Sequence, residues 1–284
     1  MASRRRNSFR TPEWEAWERR LTGLFTITVQ WEPLVGDPPI PAPGSPLAGD
    51  DRAWSLLPTS TLAWLGLVSA IEHLAACRRL MQETRTMMPS PYMSLIRPAL
   101  MGGAQTLWVL LPPVRAERVR RQLIVAHEEF QESRHLAREA LEPPLREKLP
   151  PKAVEAAEGQ LARATERQSK TAAELQRRGH KISKVNMTDV IKEAAAHVAA
   201  DDPWSYQAIR SSWRIASGDA HGKLWPMLHR ATRTPSATEP GVTLLQDGSN
   251  IEMVGMVAGS AYKLTKAGMD MFQQRCASPH VNPS

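Results

Sequence analysis

Cysteine is almost absent from this chain. Cys77 and Cys276 are the only two; they stand far apart, and neither belongs to a CxxC pair. That argues against a disulfide framework and against a cysteine-based structural zinc site. Cys77 lies in an apolar helical stretch and reads as a small buried hydrophobe. Glycine-rich phosphate loops are missing as well. Met101-Gly102-Gly103 follows a helical segment rather than a strand, so it is neither a Walker nor a Rossmann loop, and no Gly-x-Ser-x-Gly elbow occurs. The most apolar run, Leu62 to Ile71, stops at Glu72-His73, short of the roughly 20 residues that a bilayer-spanning helix needs. The Arg-rich start has no apolar stretch behind it, which predicts no secretory signal, no membrane attachment and a cytoplasmic location. Strand-like alternation is nowhere sustained, and no internal repeat is found. Tyrosine (three) and phenylalanine (four) are scarce beside nine tryptophans, so most aromatic surface is carried by Trp.

What the chain does have is positive charge and helical periodicity. A formal net charge of +7 permits an anionic partner such as nucleic acid, through counterion release. Arg4, Arg5, Arg6 and Arg10 form a basic arm, and Thr11 to Leu21 reads as a short helix. Val29 and Trp31 suggest a short strand, and the Pro-rich residues 33–50 an extended linker. Helical patterns then cover 60–86, 90–111, 114–141, 153–178, 183–198, 202–228 and 251–276, with a polar loop over 231–250. Gly102-Gly103 would allow close helix packing or a bend. The expected organisation is a basic N-terminal helix and linker (1–55), a helical core domain (56–230), a loop (231–250) and a C-terminal helix with its tail (251–284). The fold class is all-α: a multi-helix bundle with a long amphipathic helical hairpin and a Pro-rich N-terminal arm.

The most informative stretch is Trp213-Arg214-Ile215-Ala216-Ser217-Gly218-Asp219-Ala220-His221-Gly222. Asp202-Pro203 begins its helix, a capping carboxylate followed by proline in the first turn. Seven helical residues advance about 700°, so Arg214 and His221 share a face to within roughly 20°. Ser217 lies between them, and Tyr206 and Arg210 extend the stripe. A guanidinium, a hydroxyl and an imidazole together suit a phosphate or another anion. The same histidine would equally serve as a packed, hydrogen-bonded core residue, with Gly218 and Gly222 marking close contact or a bend.

Arg97, inside the apolar run Tyr92–Leu111 and followed by Pro98, should have an anionic or structural partner. It either pairs with Glu72 or Asp219, or joins the Arg214/His221 face. Glu132-Ser133-Arg134-His135 has the Glu-x-x-His spacing of helical di-iron sites, without the second copy those sites need. His127-Glu128-Glu129 is half a zincin motif, with Gln131 where the second histidine belongs. No metal site is expected. Residues 183–213 could be read as a helix-turn-helix, although they lack a basic recognition helix.

Arg214 and His221, separated by six residues late in an all-helical domain, resemble the Arg-x(4–6)-His motif of the HEPN superfamily. The segments Tyr92–Leu100, Thr106–Leu110 and Glu117-Arg118, with Tyr206 and Ser217–Gly222, are also similar to uncharacterised actinobacterial helical proteins. Met101 stands where those proteins carry a glutamate. The HEPN resemblance implies RNA binding and a metal-independent endoribonuclease of a toxin or phage-defence kind, without a cofactor. It implies a homodimer whose two Arg/His sets line one cleft, and an antitoxin or other protein partner. On that reading Arg214, His221, Ser217 and Asp219 are catalytic, while Arg97, Arg210 and Tyr206 bind RNA or another anion. The alternative is a non-catalytic interaction or regulatory protein that uses helix 153–178 as its partner surface.

Overall fold

Three helices start where a short polar residue precedes proline. Thr11, Ser45 and Asp202 each accept a hydrogen bond from a backbone N–H in the turn they cap: Trp14 at 3.2 Å, Ala48 at 3.1 Å and Trp204 at 3.0 Å. Proline at the next position loses nothing, because its missing N–H is one that the first turn cannot satisfy anyway. The computed structural model describes residues 11–84, 88–238, 241, 243–247 and 251–278. The basic arm Arg4–Arg10 lies outside the described residues.

Among the described residues, α-helices dominate. They are α1 (Pro12–Thr28), α2 (Pro46–Ala53), α3 (Thr59–Thr84), α4 (Pro89–Leu110), α5 (Arg115–Glu139), α6 (Leu145–Lys148), α7 (Pro151–Arg177), α8 (Met187–Ala199), α9 (Pro203–Ala220), α10 (Leu224–Arg230) and α11 (Ile251–Cys276). A 3-10 segment, Val29–Gly36, follows α1. Two strands, β1 (Ala231–Pro235) and β2 (Thr243–Asp247), pair antiparallel. The all-α class and the long helical hairpin, α5 with α7, are as expected.

Several local expectations are corrected. Val29 and Trp31 are not a strand; they belong to the 3-10 segment, where Trp31 is buried and stacked on Tyr262 with ring centroids 5.5 Å apart. Residues 33–50 are not an extended linker throughout. Ser45 caps α2 there, and Leu47 and Asp50 are fully buried. The loop expected at 231–250 contains the β hairpin, whose first strand is exposed at four of five positions. The apolar run Leu62 to Ile71 is only part of a longer helix. The whole of α3 is long and apolar enough to cross a membrane by length and composition, and half of its most apolar window is buried, as in a core helix.

The chain divides into two units, neither continuous in sequence. One comprises residues through Ile40, Trp64–Leu107 and Thr188–Gln273; the other comprises Pro41–Ala63, Trp108–Met187 and the segment from Gln274 onward. In the first, Leu67, Ile71 and Leu74 of α3, Tyr92, Met93, Ile96 and Leu100 of α4, and Val257, Ala261 and Leu264 of α11 are buried. Burial pushes the Cys77 thiol up to about 12, so this cysteine is an inert core residue.

Glycines set how closely those helices cross. A Cβ at Gly103 would lie 2.7 Å from the Thr265 nitrogen and 2.9 Å from the Leu264 carbonyl carbon, backbone atoms that cannot rotate away. Gly103→Ala should therefore destabilise the protein by about 3 kcal/mol, at the upper end for overpacking. The check is the chemical denaturation midpoint, and an unchanged midpoint would refute the close crossing.

In the second unit, α5 and α7 fold back on one another. Val119, Leu123, Ile124 and Leu175 form a buried cluster, with Ala53, Trp54 and Val185 packed against it. Charge on the outer faces is arranged locally. Arg120 and then Arg121 hold the Glu117 carboxyl down at about 2, and Arg177 and Arg178 do the same for Glu174. Gly179, at φ +76°, ends the hairpin in the left-handed conformation that a helix stop favours.

Candidate functional site

The site is built around the end of α9. The helix stops at Ala220, not near Leu228 as its periodicity suggests. His221 is the C-cap, and Gly222 takes φ +61°. The N–H of Lys223 donates to the Gly218 carbonyl at 2.9 Å, and the N–H of Gly222 to the Asp219 carbonyl at 2.9 Å. This paired closure is a Schellman motif, which satisfies carbonyls that the helix end would leave bare. The chain then turns back, and Lys223 opens α10.

An open cleft of about 630 Å³ lies beside this turn. Arg97, Arg214, Lys223 and His221 line it, and among the described residues no carboxylate does. Trp213 and Trp225 supply apolar wall, Thr188 of the first turn of α8 reaches it, and Ser217 and Gly218 contribute the surface of α9. Cations concentrated in a concave surface without a compensating acid raise the local potential for anions. Arginine adds a planar fork matched to phosphate oxygens.

Arg97 resolves as the second of its two alternatives. Its Nε donates to Ser217 Oγ at 3.3 Å, and its guanidinium lies 5.2 Å from the centroid of the Trp213 ring. Glu72 is exposed, and Asp219 is engaged elsewhere. Arg97 therefore joins the Arg214/His221 face from α4. The stacking and the single hydrogen bond orient a half-buried cation while leaving further N–H groups for a ligand.

Asp219 does not join that face. Its Oδ2 receives Arg230 Nη1 at 2.7 Å, and its Oδ1 receives Ser90 Oγ at 2.9 Å. Arg230 Nη2 in turn donates to Ser90 Oγ at 2.8 Å. This closed triangle ties the end of α9 to α10 and to the start of α4. Arg210 and Tyr206 lie along α9 away from the cleft, with the guanidinium 5.2 Å from the phenol ring. The structure thus brings together Arg97, Arg214, Ser217 and His221, and separates Asp219, Arg210 and Tyr206 from them.

Three lining residues were missed in the sequence: Thr188, Lys223 and Trp225. The available signal was Gly222, a helix stop that sends Lys223 and Trp225 back toward α9. Gly218 fits the same turn. A Cβ there would lie 2.6 Å from Pro226 Cγ and 2.8 Å from Trp225 Cζ2.

The other candidates are structural. Glu128 accepts the Val185 N–H at 2.9 Å, and His127 Nε2 lies 3.4 Å from Gln168 Nε2, with burial pushing the His127 pKa down. Glu132 and His135 are 3.9 Å apart, and among the described residues no group of three His, Cys, Asp or Glu could hold a metal. Comparison with family models, curated proteins and solved structures gives no match to this chain.

Proposed function

We propose that the cleft binds RNA and that Arg214 and His221 support HEPN-like, metal-independent endoribonuclease chemistry there. One observation carries this reading: Arg97, Arg214, Lys223 and His221 converge on one open cleft that has no carboxylate among the described residues lining it. In such a reaction a ribose 2′-oxygen forms a bond to the adjacent phosphorus while the bond to the 5′-oxygen breaks. A base removes the 2′ proton, and an acid supplies one to the leaving oxygen. His221 is exposed and free to meet a ligand, and suits either proton transfer. Arg214 and Arg97 stabilise the charge on the phosphate oxygens. Among the described residues, His221 is the histidine that lines the cleft, so a second copy facing it would supply the other proton-transfer group. An antitoxin or other protein covering the cleft would suit a toxin or phage-defence role.

Purified protein incubated with mixed cellular RNA in excess EDTA should cleave it. His221→Ala should lower the rate by about 100-fold or more, and Arg214→Ala by a similar factor. Unchanged cleavage by folded variants would reject the assignment. The capture of Asp219 by Arg230 favours a second reading, in which the cleft binds RNA without cutting it, since His221 then lacks the carboxylate expected to orient it. Binding without cleavage by the wild type would select that reading.

A further inference from the structure

We propose that Trp225 is a stacking platform for an unpaired nucleobase beside the phosphate held by Arg97, Arg214 and Lys223. The proposal rests on the RNA reading of the same cleft and names what that reading leaves open, the part of the strand recognised besides its charge. The two tryptophans of the cleft differ in what they offer. Trp213 is buried, 8% exposed, with the Arg97 guanidinium over its ring. Trp225 keeps 40% of its surface exposed in the cleft that Arg97, Arg214 and Lys223 also line.

Trp225 is also held in place. Its six-membered ring lies against α9 at Gly218, where a Cβ would come within 2.8 Å of Cζ2 and 2.9 Å of Cε2. His229 and the indole stand nearly perpendicular, with centroids 5.7 Å apart and planes at 85°. Pro226 packs into the same notch over Gly218. An aromatic ring fixed before the ligand arrives loses little conformational freedom on binding. A base in a duplex has both faces covered by its neighbours, so this geometry selects a single strand or a flipped-out base. Every base has a π-face, and the preference is therefore for unpaired bases in general rather than for one sequence.

The test uses the full chain and two uncleavable strands of equal length and charge: a short 2′-O-methyl oligoadenylate and its abasic counterpart. Fluorescence anisotropy should show the wild type binding the oligoadenylate about tenfold more tightly than the abasic strand. Trp225→Ala should erase that preference, while Trp225→Phe should keep most of it. Equal wild-type affinity for the two strands, or a preference that survives in Trp225→Ala, would overturn the stacking role while the phosphate-binding cleft stands. Failure of the wild type to bind either strand at low salt would overturn the RNA reading and this inference with it.

Discussion

Arg118→Ala is expected to lower stability by about 3–5 kcal/mol, the range for removing one partner of a buried ion pair. Arg118 is 2% exposed and Asp50 is fully buried. The guanidinium grips the carboxylate at two points, Nε to Oδ2 at 2.6 Å and Nη2 to Oδ1 at 2.9 Å. Its remaining nitrogen, Nη1, donates to the Pro112 and Pro113 carbonyls at 2.9 Å each. Neither proline can be held through an N–H, so this arginine secures the turn that leads into α5. Truncation leaves a buried carboxylate whose ion-pair partner is Arg115, an exposed residue at 3.4 Å. Arg118→Lys should recover less than half of the loss, because one ammonium cannot span a fork of four acceptors. Replacing Asp50 and Arg118 together by leucine should be milder than either single truncation, since no charge is then stranded. Denaturation midpoints of these variants and of Asp50→Ala decide the matter. An Arg118→Ala loss under about 1 kcal/mol would contradict the buried-pair account.

That pair also shows what the sequence could not convey. Asp50 and Arg118 are 68 positions apart, and an ion pair across such a distance leaves no local period. Ser45-Pro46 carries the same cap signature as Asp202-Pro203, but the prolines around it made the whole segment look extended. The β hairpin escaped for a different reason. β1 is exposed at four of its five positions, so no alternation of buried and exposed residues marks it in the sequence. Where burial is continuous, as in the α5–α7 hairpin and in α11, the 3.6-residue period located the helices to within a few residues.

The site was partly legible. Arg214, Ser217 and His221 share the cleft because the chain stays near helical through the C-cap, with His221 at φ −94° and ψ 11°. Elementary helix geometry also separates Asp219 from Ser217: two residues advance about 200°, which sends Asp219 to the other side of α9. Arg97 was recognisable as a charge needing a partner. Which partner it takes depends on how α4 lies against α9, and no local pattern records that.

The same geometry separates two neighbouring carriers of the motif by their expected effects. Asp219→Ala should destabilise by about 3–5 kcal/mol and lower Tm by roughly 10 °C, because it strips a buried arginine of its carboxylate. The side chains involved are 4% and 1% exposed, and Ser90 binds both. His221→Ala, at an exposed C-cap, should stay within about 0.5 kcal/mol of the wild type. Asp219→Asn, which keeps the shape and one acceptor, should fall between them. If the Arg214/Ser217/His221 stripe existed to hold the fold, His221→Ala would instead melt early, alongside Asp219→Ala. Thermal melts of the three variants, run beside RNA binding, therefore distinguish a residue that builds the end of α9 from one that uses it. On the proposed function, Asp219→Ala should weaken RNA binding in proportion to its loss of fold, because the triangle positions α10 and with it Trp225. On the same proposal, His221→Ala should lose cleavage while its melting curve stays in place. Early melting of His221→Ala would return the stripe to a structural role, and a stable Asp219→Ala would remove the Arg230 pair from the account of how the cleft is held open.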